Sequence, residues 1–110
     1  MALPLARPGQ VIDLFPTSSE TGITVSHALF KSEQLELIQL ILPAGKGLPI
    51  HSVPGEITVQ CLRGRIDFSI NGRSRHIRGG QLLHVEGGVP HALVAIEDAS
   101  ALVTIVFTRP

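Results

Sequence analysis

Residues 65–78 read RIDFSINGRSRHIR. Polar and apolar side chains alternate without error up to Ile70, which is typical of a β-strand with one buried face. Asn71-Gly72 follows, and this dipeptide favours a two-residue hairpin turn because both turn positions take a positive φ. The stretch therefore predicts an antiparallel hairpin in which Phe68 lies opposite Arg75.

Other segments with strand-like patterns lie on both sides of this hairpin. The predicted strands are residues 11–15, 23–30, 32–42, 57–62, 65–70, 73–78, 82–85, 91–96 and 102–108. The segment 32–42 fits the helical and the strand period alike, and we interpret it as a strand because its neighbours are strands. With 11 glycines and 8 prolines supplying turns, about nine short strands predict an all-β sandwich or barrel.

Composition limits the function classes. A chain of 110 residues with 44% hydrophobic and 16% charged residues is one folded domain rather than a disordered segment. Its formal net charge of +0 argues against a nucleic-acid-binding protein. Cys61 is the single cysteine, so no internal disulfide forms and a reducing compartment is expected. The N-terminus does not resemble a signal peptide, and no apolar run is long enough for a membrane span. We therefore expect a cytoplasmic protein.

Two segments carry a family resemblance. The first is PAGKGLPIHSVPGEITVQCLRG at 43–64, and the second is GQLLHVEGGVPHALV at 80–94. Together they resemble the two motifs of the cupin superfamily in its small single-domain, RmlC-like form, over roughly residues 40–107. The resemblance implies a double-stranded β-helix, which is a small jelly-roll barrel, and a homodimer. Residues 1–9 contain two prolines and are expected to form an irregular N-terminal arm, and the resemblance implies a single cupin domain over 10–110.

The resemblance also implies candidate metal ligands. In metal-binding cupins, three histidines and a glutamate point into the barrel. His51 matches the first histidine of the first motif, and His91 matches the histidine of the second motif. Val53 stands where the second histidine is expected. Ile57 stands where the glutamate is expected, and Glu56 lies one residue earlier.

The direction of the Glu56 side chain decides between two alternatives. Alternation along a strand places Glu56 on the face opposite Ile57. A distortion at Pro54-Gly55 would instead turn Glu56 inward. In that case His51, Glu56 and His91 form a two-histidine, one-carboxylate set, which suits a divalent metal such as Fe, Mn, Ni or Zn. A barrel without metal is the other alternative.

Two further residues are candidates for catalysis. His84 lies in the apolar segment 82–85 and is either a base in a pocket or a histidine satisfied within the core. Cys61 shares a strand face with Ile57 and Val59. It acts as a nucleophile only if a neighbouring histidine lowers the pKa of its thiol, and otherwise it is a small buried apolar residue.

Arg75 and Gln60 are candidates for substrate binding. Residues 63–78 hold five arginines against Asp67 alone, a local net charge of +4. Arg75 shares a face with Phe68, so it is placed to bind a carboxylate or phosphate at a barrel rim. The alternative is that these arginines keep edge strands soluble.

Two functions follow as hypotheses. The first is a metal-dependent enzyme, of the oxygenase or isomerase type, that acts on a small polar or anionic molecule in the barrel. The second is a non-enzymatic cupin that binds or senses a small ligand without metal. Metal-free acid–base catalysis by a histidine–carboxylate pair is a third, less supported hypothesis. In each case the expected partners are a small molecule and a second copy of the chain, with no nucleic acid and no membrane.

Overall fold

The computed structural model describes residues 5–14 and 26–107. This part of the chain contains nine strands and no helix, which confirms the all-β prediction. The strands are β1 His27–Lys31, β2 Leu35–Leu42, β3 Gly47–His51, β4 Ile57–Arg63, β5 Arg65–Ile70, β6 Arg73–Arg78, β7 Leu82–Val85, β8 His91–Ala95 and β9 Ala99–Val106. In these ranges no helix has the length and apolar character needed to cross a membrane.

The strands form two antiparallel sheets. The five-stranded sheet has the order β1-β2-β9-β4-β7, and the four-stranded sheet has the order β3-β8-β5-β6. From β2 onward the chain changes sheet at every connection except the β5–β6 hairpin. Each sheet is therefore built from strands that are distant in sequence, and the space between the sheets is lined by residues from both motifs.

The β5–β6 hairpin has the predicted register. Phe68 lies opposite Arg75, and Arg65 lies opposite Arg78. Asn71 and Gly72 form the turn with φ values of 53° and 82°, as a two-residue turn of this type requires.

The ambiguous segment 32–42 is a strand from Leu35 onward, whereas residues 32–34 lie outside the strand. β2 pairs with β9 over eight consecutive residues, from Leu35 to Leu42. Its apolar side chains occupy both faces, which explains why neither the helical nor the strand period was dominant. Leu40 and Leu42 are buried in the core, whereas Leu35 and Leu37 lie partly covered on the outer face.

One strand predicted from the sequence is absent from the described residues, and one strand that is present was not predicted. Residues 11–14 form no strand, and the carbonyl of Leu14 instead accepts a hydrogen bond from Gln39 Nε2 at 2.8 Å. β3 was not predicted, because Gly47 and Pro49 are residues that strands disfavour. β3 lies at the edge of its sheet, where a proline removes no necessary ladder hydrogen bond. The predicted strand residues 15, 23–25 and 108 lie outside the described residues, as do residues 1–4 of the N-terminal arm.

The core consists of alternate residues from the facing strands. Ile57, Val59 and Cys61 are 4%, 1% and 0% exposed, which confirms that this set faces the interior. Phe68 and Ile66 on β5 meet them from the opposite sheet, and both are 0% exposed. Each such apolar side chain contributes about 1.5–3 kcal/mol to folding through its removal from water.

Candidate functional site

A cavity of about 140 Å³ opens between the two sheets. Twelve of the described residues line it, and ten of these are apolar. The apolar residues are Ile38, Leu40, Leu48, Val53, Ile57, Val59, Phe68, Leu93, Val103 and Ile105. His51 and His91 supply the polar side chains of the lining within residues 5–14 and 26–107. A concave apolar site with a few converging polar groups is typical of small-molecule binding sites.

Strand pairing brings the two histidines together. His51 ends β3 and His91 begins β8, and the two residues lie opposite each other where these antiparallel strands pair. Their ring centroids are 4.4 Å apart with an interplanar angle of 59°. Phe68 stacks on the His91 ring at 5.8 Å and 14°. His91 is only 3% exposed, whereas His51 is exposed, so the pair extends from the mouth of the cavity into its interior.

Hydrogen bonds to backbone carbonyls determine which ring nitrogen each histidine presents to the cavity. Nδ1 of His51 lies 3.0 Å from the Pro49 carbonyl, and Nδ1 of His91 lies 3.0 Å from the Val89 carbonyl. A carbonyl only accepts, so each Nδ1 carries the proton and donates it. In the neutral imidazole Nε2 is then an acceptor. Neither Nε2 has a partner in the described part of the chain, so both acceptors are available to a ligand.

Glu56 lies away from this pair. Its Oε1 is 2.7 Å from Nε2 of His84, and the two side chains are 64% and 49% exposed. Ile57 takes the inward position, and Thr58 pairs with His84 across β4 and β7. Alternation along the strand therefore holds without distortion, and both Glu56 and His84 lie on the outer face of the five-stranded sheet. The structure does not bring Glu56 together with His51 and His91.

The cupin domain family model matches residues 38–107, a range that contains both histidines and most of the strands. The chain belongs to the cupin family. Among curated proteins, none matches the sequence.

Solved cupin structures share the fold of this chain. A conserved protein of unknown function from Streptococcus pyogenes has 24% identity and a TM-score of 0.79, with 100% of this chain and 97% of that chain covered. An RmlC-like cupin from Desulfovibrio desulfuricans has 23% identity and a TM-score of 0.69, with 94% and 96% covered. An RmlC-like cupin with a double-stranded β-helix fold, from Methanocaldococcus jannaschii, has 16% identity and a TM-score of 0.70, with 74% and 78% covered. These likenesses establish the double-stranded β-helix.

Cupins often bind metals, and a bound metal requires a sufficient set of protein ligands. Catalytic metal sites use at least three protein ligands. Residues 5–14 and 26–107 contain no group of three His, Cys, Asp or Glu side chains that could hold an ion. Val53 and Ile57, at the two positions where the resemblance implies ligands, are apolar and line the cavity. His51 and His91 thus provide only two imidazole ligands among the described residues, and two ligands do not fit the family's metal centre.

Cys61 lies in the core of the cupin and outside the cavity lining. Its thiol donates to the carbonyls of Arg63 at 3.3 Å and Gly64 at 3.6 Å. Burial raises the pKa of the Cys61 thiol above its ordinary value of 9.0, and the negative charge of Glu97 adds to the effect. A nucleophilic cysteine needs the opposite shift, so these surroundings oppose thiolate chemistry.

We expect the free energy of unfolding to fall as the pH rises above about 9, and to fall less in Cys61→Ala. Below that pH the thiol is protonated in both states. Above it the unfolded chain releases the proton first, because the pKa of the folded state is raised, and unfolding is favoured. The chain has no tyrosine and only two lysines, so few other groups titrate in this range. Urea unfolding between about pH 7.5 and about pH 10 measures the effect, and parallel pH curves for the two proteins would contradict it.

Arg75 and Gln60 also lie outside the cavity lining. Gln60 lies opposite Leu82 on the outer face of β4 and is exposed. Arg75 has the same parity as Phe68 but is exposed, because β6 is the edge of its sheet. The structure therefore brings neither residue to the histidine pair.

Sequence reasoning missed the main walls of the site. Phe68 was recognised as a hairpin residue and not as the ring that stacks on His91. Leu48 and Leu93 lie opposite each other on β3 and β8 and line the cavity together. The alternation of β5 marks Phe68 as inward-facing. The stacking of its ring on His91, however, depends on contacts between strands that are distant in sequence.

Proposed function

We propose that this cupin binds a small organic molecule in the cavity between its two sheets. The observation that carries the proposal is the cavity itself. It is apolar over most of its described lining, and it contains two imidazole acceptors, at His51 and His91, that have no partner among the residues the structure describes. The volume of about 140 Å³ is close to that of an apolar cavity of about 150 Å³ that accommodates benzene. The ligand is therefore of single-ring size.

The surroundings of the histidines favour binding over catalysis. In acid–base catalysis a carboxylate typically orients the histidine and stabilises its protonated form. Here backbone carbonyls take that place on His51 and His91. The histidine–carboxylate pairs that the described residues do contain, Glu56 with His84 and Asp67 with His76, lie on outer faces of the sheets. The described residues do not supply enough metal ligands for the metal-dependent reaction expected of many cupins.

We expect Leu48→Trp to abolish ligand binding, because an indole at this position fills the cavity. Val94→Trp is the matched control. Leu48 and Val94 are both 38% exposed, and they lie on the neighbouring strands β3 and β8, but only Leu48 lines the cavity. Thermal unfolding with small ring compounds such as cyclohexanol measures binding, since a ligand at ten times its Kd stabilises the folded state by about 1.4 kcal/mol.

Fluorescence verifies where the introduced indole lies. The chain has no tryptophan, so emission reports only the new side chain. Blue-shifted emission is expected for Leu48→Trp and solvent-like emission for Val94→Trp. Equal stabilisation of both variants by the same compounds, with the Leu48→Trp indole buried, would contradict the proposal.

A further inference from the structure

We infer, on the basis of the binding function proposed above, that the ligand is an uncharged molecule of single-ring size that carries a hydroxyl group. Its hydroxyl donates a hydrogen bond to Nε2 of the histidine pair, and its apolar ring occupies the rest of the cavity. The acceptor nitrogens of the two imidazoles select this chemical class of ligand.

The hydrogen bonds of the histidines determine what the ligand must offer. Each Nδ1 donates to a carbonyl, that of Pro49 for His51 and that of Val89 for His91, both at 3.0 Å. Reversing either ring would lose this bond, and the His91 ring is also held by the stacked Phe68. Each neutral ring then presents an acceptor and no donor at Nε2. A ligand that also carries only acceptors, such as an ether or a ketone, makes no hydrogen bond here.

The lack of charged side chains in the described lining disfavours charged ligands. Among the residues that the structure describes, the cavity lining contains no Asp, Glu, Lys or Arg. A ligand ammonium group would leave water without a countercharge, and a carboxylate would have one only where an imidazole is protonated, so either loses more free energy than an uncharged group. A hydroxyl loses less on leaving water, and the imidazole acceptors replace its hydrogen bond. Among common uncharged donors, a hydroxyl on a ring therefore matches both the acceptors and the apolar walls.

The position of the histidine pair favours an amphipathic ligand. The two ring centroids are 4.4 Å apart, so the polar groups are concentrated in one region of the lining. The facing walls are aliphatic and include Val59, Val103 and Ile105. One polar group with an apolar body is thus accommodated, whereas a polyhydroxylated sugar would leave hydroxyl groups against aliphatic side chains without partners.

Phenol and toluene test whether a hydroxyl group contributes to binding. The two molecules are similar in size, and only phenol carries a hydrogen-bond donor. In a dry cavity without an acceptor, toluene binds roughly tenfold or more tightly than phenol, since phenol loses hydrogen bonds to water. We expect phenol to bind this cupin at least as tightly as toluene. Titration of the 15N-labelled protein, followed by NMR shifts of residues that line the cavity, gives both Kd values. Benzoate serves as the charged probe and is expected to bind more weakly than phenol.

Substitution of the histidines tests the assignment of the acceptors. The ratio of the toluene Kd to the phenol Kd is expected to fall about 3- to 10-fold in His91→Leu. His51→Leu, at an exposed position, provides the same test if the buried substitution prevents folding. His76→Leu, on the outer face of β6, is the control with an unchanged ratio. Because each ratio compares two ligands on one protein, a general loss of stability cancels.

The outcomes separate this inference from the proposed function. Toluene bound more tightly than phenol by the wild type would overturn the hydroxyl inference and leave a purely apolar binding site. Benzoate bound more tightly than phenol, or a ratio unchanged in both His51→Leu and His91→Leu, would also overturn it. If none of the three compounds shifts residues of the cavity up to its solubility limit, both the proposed function and the inference fail.

Discussion

Replacing Gly64 with alanine is expected to lower the free energy of unfolding by about 2–4 kcal/mol, from left-handed strain and steric overlap together. Gly64 joins β4 to β5, and with them the two sheets, at a φ of 81°. A Cβ at this position would lie 2.7 Å from Ala99 Cα and 2.9 Å from Ala99 Cβ. These atoms belong to the start of β9, which pairs with both β2 and β4. Relief of the overlap therefore requires movement of a central strand.

Gly72→Ala isolates the contribution of the backbone conformation. Gly72 has nearly the same φ, 82°, but nothing lies within 4 Å of a Cβ built on it. Its replacement is expected to cost about 1 kcal/mol, the left-handed strain alone. Urea unfolding of both variants measures the difference between them. Equal losses at the two positions would show that the contact with β9 does not limit residue 64.

Much of the fold is predictable because its signals are local. The alternation of residues 65–70 and the Asn71-Gly72 turn specify a hairpin and its register without reference to the rest of the chain. The strand β4 alternates in the same way, and the predicted inward positions of Ile57, Val59 and Cys61 are observed. By contrast, β3 carries Gly47 and Pro49 and is a strand because β8 pairs with it. No local pattern reports that pairing.

The candidate site was only partly predictable, for a related reason. The motif resemblance placed His51 and His91 as a pair, and strand pairing brings their rings together. The remaining polar candidates were chosen for their chemistry, whereas the direction of a side chain is set by its parity along the strand. Glu56, Gln60 and His84 lie at outward positions. The inward positions hold aliphatic residues, so the cavity is less polar than the expected substrate class required.

Phe68→Ala is expected to lower the free energy of unfolding by about 3–5 kcal/mol. The ring is 0% exposed and stacks on His91, so its removal leaves a void and releases one face of the imidazole. Phe30→Ala is the control, because Phe30 on β1 is only partly buried and its loss is expected to cost less. Chemical unfolding of the two variants measures both costs.

The same substitution also tests how the ligand is selected by size. Because Phe68 forms one wall of the cavity, its truncation extends the cavity by the volume of the lost ring. Phe68→Ala is then expected to bind 2-naphthol more tightly than the wild type does, and Phe68→Leu provides a milder version if the alanine variant does not fold. The cost of truncation and the gain in ligand size arise from one void. A variant that loses stability without accepting the larger ligand would show that the core collapses around residue 68, and that the aliphatic residues rather than the aromatic ring define the binding volume.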